Sequence, residues 1–153
     1  MTTKLKTWVL LRGLAREHRH WEDFPGELQR HFPGSLVYTP DLPGNGKHAG
    51  ITSPASIRDM LMFLRDDIAS VISRGPVHII GLSMGGMLAI EWMNSFPEEC
   101  AAGILINTSL KGISPHYHRL RPRNYHRLLY ALFTRNTYAR EKAILQMTSN
   151  LHP

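Results

Sequence analysis

A serine flanked by two glycines, at the junction of a strand pattern and a helix pattern, constrains this chain more than any other feature. The β-branched run 77–80 leads into Gly81-Leu82-Ser83-Met84-Gly85, and apolar residues then recur at helical spacing. A serine on a sharp strand-to-helix turn presents its hydroxyl at the carboxyl edge of a sheet, and little bulk fits around such a turn. The pattern predicts a nucleophile elbow rather than a plain glycine turn. Ser83 is then the candidate nucleophile, with Gly81 and Gly85 as its elbow glycines.

The helix predicted after Ser83 adds an electrostatic element. Its amino terminus carries free N–H groups and the positive end of the helix dipole, which favour a negative charge. An oxyanion formed on an acylating substrate would lie there, and the Met84 N–H is the natural first donor to it.

Two loops upstream agree with this interpretation. The strand-like run 8–11 leads into Arg12-Gly13-Leu14 and a polar stretch, after which Trp21 precedes a helical pattern. The segment Asp41-Leu42-Pro43-Gly44-Asn45-Gly46 follows the strand-like run 36–38, and its proline and glycines predict a tight turn.

Taken in order, the three loops resemble those of the α/β-hydrolase superfamily, over residues from about 6 to 107. The resemblance implies that the Leu14 N–H is the second oxyanion donor and that Asp41 is structural. Members often carry a histidine where this chain has Arg12. The donor is a backbone group, so this departure bears on the support of the loop rather than on the donor itself.

The remaining elements predict the fold class. Helical spacing extends from an N-cap at Ser53 and a first-turn Pro54 to Ile72, and a second helix runs to Phe96. The apolar run 101–107 is typical of a parallel strand buried on both faces. We therefore predict an α/β fold, a doubly wound, mostly parallel sheet with flanking helices, equivalent to part of an α/β-hydrolase fold.

Charge divides the chain at about residue 110. Residues 1–110 hold ten Lys/Arg and eleven Asp/Glu, whereas residues 111–153 hold eight and one. We predict a hydrolase core over 1–110 and a basic helical segment over 111–153, which by resemblance is a cap or lid. Arginines interleave with aromatic residues over 119–127, but a solvated helical face explains them, so no nucleic-acid partner is predicted.

Composition excludes several classes of protein. The single cysteine, Cys100, precludes an internal disulfide framework and is expected to be inert. No histidine pair has the carboxylate or cysteine context of a metal site, and no cofactor is expected. No apolar stretch approaches a membrane span or a signal sequence, so we predict a cytoplasmic protein without a membrane partner.

The sequence shows no convincing base for Ser83. In the superfamily an Asp or Glu and then a His follow the serine, on loops after later strands. After residue 107 the only acid is Glu141, and no further strand pattern presents it. A dyad of Ser83 with His116 or His118 is one alternative, and a pseudoenzyme or small-molecule binder that retains the fold is another.

We favour a third hypothesis, in which this chain is the amino-terminal portion of a serine hydrolase whose acid and base lie beyond Pro153. The substrate would be a small molecule with an ester, thioester or related acyl group, hydrolysed through an acyl-enzyme on Ser83. The apolar strand 101–107 would then have a free edge, which predicts self-association of the isolated chain.

Overall fold

A computed structural model describes residues 5–109 continuously. Further along, it describes the following positions: His126, Leu129, Tyr130, Phe133, Thr134, Asn136, Tyr138, Ala139, Lys142 and Ala143. The chain divides into two compact units, residues 1–109 and 110–153. The elements below belong to the first unit. The arginine-rich stretch 119–127 of the sequence analysis, apart from His126, lies outside the described residues, as do Pro122 and Glu141.

A parallel four-stranded sheet forms the centre of the first unit. Its strands are β1 (Thr7–Leu11), β2 (Leu36–Tyr38), β3 (Val77–Leu82) and β4 (Cys100–Ile106). Their order across the sheet is β2-β1-β3-β4, and every neighbouring pair is parallel. The predicted α/β fold with a mostly parallel sheet is confirmed. All loops that follow the strands therefore emerge at one edge of the sheet.

Helices cover both faces of this sheet. They are α1 (Phe24–His31), α2 (Ile57–Asp67), α3 (Ala69–Ile72) and α4 (Met84–Ser95), with single 3₁₀ turns at His18–Trp21, Gly46–His48 and Pro97–Glu99. Alternation along β1 separates two cores, because successive strand residues point to opposite faces. Val9 and Leu11 pack with α2 and α4, whereas Trp8 and Leu10 pack with Trp21 and the α1 side.

The helix predicted from Ser53 to Ile72 is wrong in its limits. It begins only at Ile57, where the Ser56 hydroxyl accepts a hydrogen bond from the Asp59 N–H at 3.0 Å. This serine, rather than Ser53, provides the N-cap. The helix also breaks at Ile68, whose φ of −111° and ψ of 24° separate α2 from α3.

The expectation that residues 101–107 form a strand buried on both faces is also wrong for the described structure. The strand exists as β4, but it is the outer strand of the described sheet, and Ile104 and Leu105 are 48% and 44% exposed. An apolar sequence indicates that a strand can be buried, but it does not indicate whether another strand or helix is present to cover it.

An ion pair ties α2 to the 3₁₀ turn that follows α4. Arg65 Nε donates to Glu99 Oε2 at 2.9 Å, and its Nη2 donates to Oε1 at 2.5 Å. The indole N–H of Trp92, a fully buried residue of α4, donates to the same carboxylate at 2.7 Å. The Arg65 hydrogen bonds outweigh partial burial and lower the pKa of Glu99. This network holds α4, and therefore the turn before it, against the rest of the unit.

Candidate active site

Ser83 lies between β3 and α4, at the carboxyl edge of the sheet. Its backbone has φ of 57° and ψ of −114°, a region that a residue with a side chain rarely adopts. Hydrogen bonds on both sides hold this conformation. The Ser83 N–H donates to the Ile106 carbonyl at 2.8 Å, and the Ser83 carbonyl accepts from the Gly86 N–H at 3.0 Å. Ser83 is thus the residue before the first turn of α4, where N–H groups lack partners within the helix.

The two elbow glycines stand where backbones meet. A Cβ on Gly81 would lie 2.5 Å from the Gly85 carbonyl oxygen, inside any normal contact distance. A Cβ on Gly85 would overlap the Leu11 carbonyl oxygen and would lie 2.8 Å from that of Arg12. Strand β3 and helix α4 can pack this closely on each other and on β1 only because both positions lack side chains.

The loop after β1 reaches the same turn. A Cβ on Gly13 would lie 3.2 Å from the Ser83 Cβ and 3.7 Å from the Ser83 hydroxyl oxygen, so this loop borders the serine. Leu14 follows in a turn, with its side chain 69% exposed, and Ala15 has a positive φ of 55°. The structure therefore brings the loop that holds Leu14 beside the loop that holds Ser83 and Met84.

Arg12 lies over the ring of Trp21, with 4.9 Å between its guanidinium carbon and the ring centroid. Its Nε is buried and has no hydrogen-bond partner within the described part of the chain. Burial is the main cause that lowers the pKa of Arg12; Arg16 acts in the same direction and Glu22 opposes it. At the position where the superfamily often has a histidine, this chain therefore has an arginine that packs on an aromatic ring.

Asp41 is buried and has three hydrogen-bond donors around it. Its Oδ1 accepts from the His18 N–H at 2.6 Å, while its Oδ2 lies 2.7 Å from His18 Nδ1 and accepts from the Lys47 N–H at 3.1 Å. Burial alone would raise the pKa of Asp41, but these hydrogen bonds outweigh it and lower the pKa. The sequence analysis assigned Asp41 to a turn and missed its pairing with His18. Adjacent parallel strands were the available signal, because β1 and β2 place their following loops side by side.

Within the described residues, the Ser83 hydroxyl makes no hydrogen bond to a histidine or a carboxylate. His78, a residue of β3, packs against Trp8 with 4.9 Å between ring centroids. His116 and His118, the alternative bases, lie outside the described residues. The described residues therefore bring Ser83 beside the loop that follows β1, and none of them provides a general base in hydrogen-bond contact with its hydroxyl.

The Cys100 thiol is not activated as a nucleophile. Burial raises the pKa of the Cys100 thiol to about 11, and nearby Glu99 and Glu98 contribute, so the reactive thiolate is scarce at neutral pH. Residues 5–109 and the later described positions contain no cluster of three His, Cys, Asp or Glu that could hold a metal ion. Over the same residues, no helix has the length and apolarity to span a membrane.

Comparison with known proteins relates this chain to one family of hydrolases. Residues 8–149 match the alpha/beta hydrolase family. The chain is 27% identical over 111 residues to 2-hydroxy-6-oxononadienedioate/2-hydroxy-6-oxononatrienedioate hydrolase 1 of Pseudomonas putida, covering 72% of this chain and 39% of that protein. A hydrolase of the same description from Burkholderia vietnamiensis is 27% identical over 140 residues, covering 91% and 48%.

Solved structures agree on the fold. An esterase from a marine microorganism superposes with a TM-score of 0.68 at 20% identity, covering 96% of this chain and 56% of that one. At this identity the likeness concerns the fold alone. The chain thus spans less than half the length of the two curated relatives and just over half of the solved structure.

Proposed function

Because this chain belongs to the alpha/beta hydrolase family, we propose that it is the part of a serine hydrolase that carries the nucleophile and the oxyanion hole. The observation that carries the proposal is the backbone of Ser83, a non-glycine residue with φ of 57° at the amino terminus of α4. Unfavourable backbone conformations of this kind cluster at functional sites, because the surrounding structure must maintain them.

The proposed reaction is acyl transfer to water. Ser83 Oγ attacks the carbonyl carbon of an ester or thioester, and its proton passes to a general base. The tetrahedral intermediate carries its negative charge on the former carbonyl oxygen, where the N–H groups of Leu14 and Met84 donate hydrogen bonds. The C–O or C–S bond then breaks and the leaving group takes up a proton. Water attacks the acyl-enzyme, releases the acid and restores the Ser83 hydroxyl.

We propose that the acid and base of this reaction come from outside the described residues. Two findings support this: the Ser83 hydroxyl has no hydrogen-bonded base within 5–109, and the curated relatives are more than twice as long as the matched part of this chain. We further propose a small-molecule acyl substrate, a cytoplasmic location, a cap role for residues 111–153 and no nucleic-acid partner. The exposed edge of β4 supports self-association of the 153-residue chain.

A serine-directed probe tests the proposal. We expect the protein expressed from its complete natural reading frame to react with a fluorophosphonate, with the adduct located on Ser83 by peptide mass spectrometry. Ser83→Ala should abolish both the adduct and ester turnover while preserving the circular dichroism spectrum. Ester hydrolysis that survives this substitution would defeat the assignment.

A folded, full-length protein that neither reacts with the probe nor hydrolyses esters would instead favour the second candidate, a non-catalytic small-molecule binder. The absence of a hydrogen-bonded base beside Ser83 in the described residues is the observation that keeps this candidate open.

A further inference from the structure

A buried carboxylate joins two loops at the carboxyl edge of the sheet. The side chain of Asp41, which follows β2, is 1% exposed. It accepts hydrogen bonds from the backbone N–H and from the ring Nδ1 of His18, a residue of the loop after β1. It also accepts a hydrogen bond from the Lys47 N–H, which belongs to the turn that follows Asp41. One carboxylate therefore determines where two loops lie relative to each other.

The first of these loops borders Ser83. Strand β1 lies between β2 and β3, so its following loop, residues 12–18, lies between the Asp41 turn and the elbow. At one end of the loop, Gly13 borders the serine, since a Cβ on Gly13 would lie 3.2 Å from the Ser83 Cβ. At the other end, His18 is bound to Asp41. Leu14, the proposed second oxyanion donor, lies between these two attachments.

Leu14 lies at the surface of the protein, in the part of the loop that follows Gly13. The side chain of Leu14 is 69% exposed, and Ala15 has a φ of 55°, which L residues adopt only when the surroundings require it. An oxyanion donor contributes to catalysis only if it is already aimed at the developing charge. The attachment at His18 is therefore important for the position of the Leu14 N–H.

We propose that His18 and Asp41 are positioning residues of the active site, which hold the loop 12–18 so that the N–H groups of Leu14 and Met84 converge on one oxyanion. This inference rests on the proposed serine hydrolase function and goes beyond it, because it assigns a catalytic consequence to a pair outside the elbow. Within the His18 ring, Nδ1 is the atom that performs this positioning role, because it makes the contact with Asp41.

The turn on the other side of the pair is itself secured. Lys47 Nζ contacts Asp67 at 2.9 Å, and His48 Nε2 contacts the same carboxylate at 3.2 Å, which ties the turn to the end of α2. A Cβ on Gly46 would collide with the Asp41 carboxylate. The turn that follows Asp41 is thus fixed to α2. His18 attaches the loop 12–18 to this turn through Asp41.

Two substitutions at one position separate this role from other uses of a histidine. The amide nitrogen of asparagine is bonded to Cγ, as Nδ1 is, so His18→Asn retains a donor for Asp41 and removes Nε2. His18→Ala removes the side-chain donor as well as Nε2 and leaves only the backbone N–H of residue 18 to bond Asp41. The His18 side chain is 45% exposed, so both changes are tolerable at the surface. His31→Ala is the matched control, because His31 is exposed at the end of α1 and is not part of the pair.

The experiment measures the kcat and KM for an ester and the rate constant of fluorophosphonate labelling, on protein from the complete natural reading frame. Misplacement of a catalytic group by about 1 Å costs on the order of 10²-fold, so we expect His18→Ala to lower kcat and the labelling rate constant at least about tenfold, with KM within about twofold. His18→Asn should stay within about threefold of wild type, and His31→Ala should match wild type. Circular dichroism of each variant establishes that it is folded under the assay conditions, since an unfolded fraction in rapid exchange with the folded protein would also lower the labelling rate constant.

The possible failures are distinguishable. If wild type is not labelled, or if labelling persists in Ser83→Ala, the proposed function itself is wrong. If wild type is labelled at Ser83 and His18→Ala reacts at the same rate, only the positioning role is wrong. Loss of activity in His18→Asn as deep as in His18→Ala also overturns the proposal, since it would assign the role to Nε2. A rise in the KM of His18→Ala at unchanged kcat would overturn the proposal as well.

Discussion

Substitution of Gly85 by alanine gives the most direct test of how the elbow is built. The added Cβ would lie 2.5 Å from the Leu11 carbonyl carbon and 2.8 Å from the Arg12 carbonyl oxygen, whereas carbon contacts are favourable at about 3.5–4.0 Å. Both obstacles are backbone atoms of β1 or of the loop just after it, so neither can rotate aside. Helix α4 would have to move away from β1 by roughly 1 Å.

Such overpacking costs about 1–3 kcal/mol, and we place Gly85→Ala at about 2 kcal/mol because the obstacles belong to the backbone. For a unit of this size each kcal/mol shifts the melting temperature by about 4–8 °C, so Gly85→Ala should lower Tm by about 8–16 °C. Activity should fall as well, since movement of α4 displaces Ser83 and the Met84 N–H.

Gly26 provides the matched control. It lies in α1, and a Cβ there meets no atom within 4 Å. Alanine in place of a helical glycine stabilises by about 0.5–1 kcal/mol when there is room for it, so Gly26→Ala should raise Tm by a few degrees. Thermal unfolding followed by circular dichroism compares the two variants. A Gly85→Ala protein at least as stable as wild type would refute the close contact between α4 and β1.

Two further predictions concern strain and charge. Ser83→Gly should raise the free energy of unfolding by about 1 kcal/mol relative to Ser83→Ala, because glycine relieves a φ of 57° that alanine would retain; equal stability in urea titrations would show that the turn is unstrained. The folded-state pKa values of Asp41 and Glu99 are lowered, so their stabilisation is complete above the unfolded pKa values of about 4 and is lost as the pH falls through the lower folded values. The free energy of unfolding should therefore decrease between about pH 5 and pH 3, less steeply in Glu99→Gln, and a variant with the wild-type slope would contradict the role given to the Arg65–Glu99 pair.

The sequence alone determined the elements around the elbow, because their signals are local. Gly81, Ser83 and Gly85 stand at fixed spacing between a strand period and a helix period, and the same spacing is what lets β3 and α4 meet. The parallel sheet followed from the alternation of strands and helices. The start of α2 was predicted wrongly at Ser53, because only the hydrogen bond from the Asp59 N–H shows that Ser56 is its N-cap.

The tertiary structure alone decided which distant residues meet. No spacing along the chain relates His18 to Asp41 or Arg65 to Glu99, because these contacts depend on the order of the strands and on the packing of helices against them. The sequence predicted a free edge for β4 because no strand pattern follows it, but the apolar run itself wrongly predicted burial of both faces, and only the structure shows that Ile104 and Leu105 are half-exposed. Local chemistry thus located the serine and its turn, whereas the support of the neighbouring loop depends on contacts that only the folded chain creates.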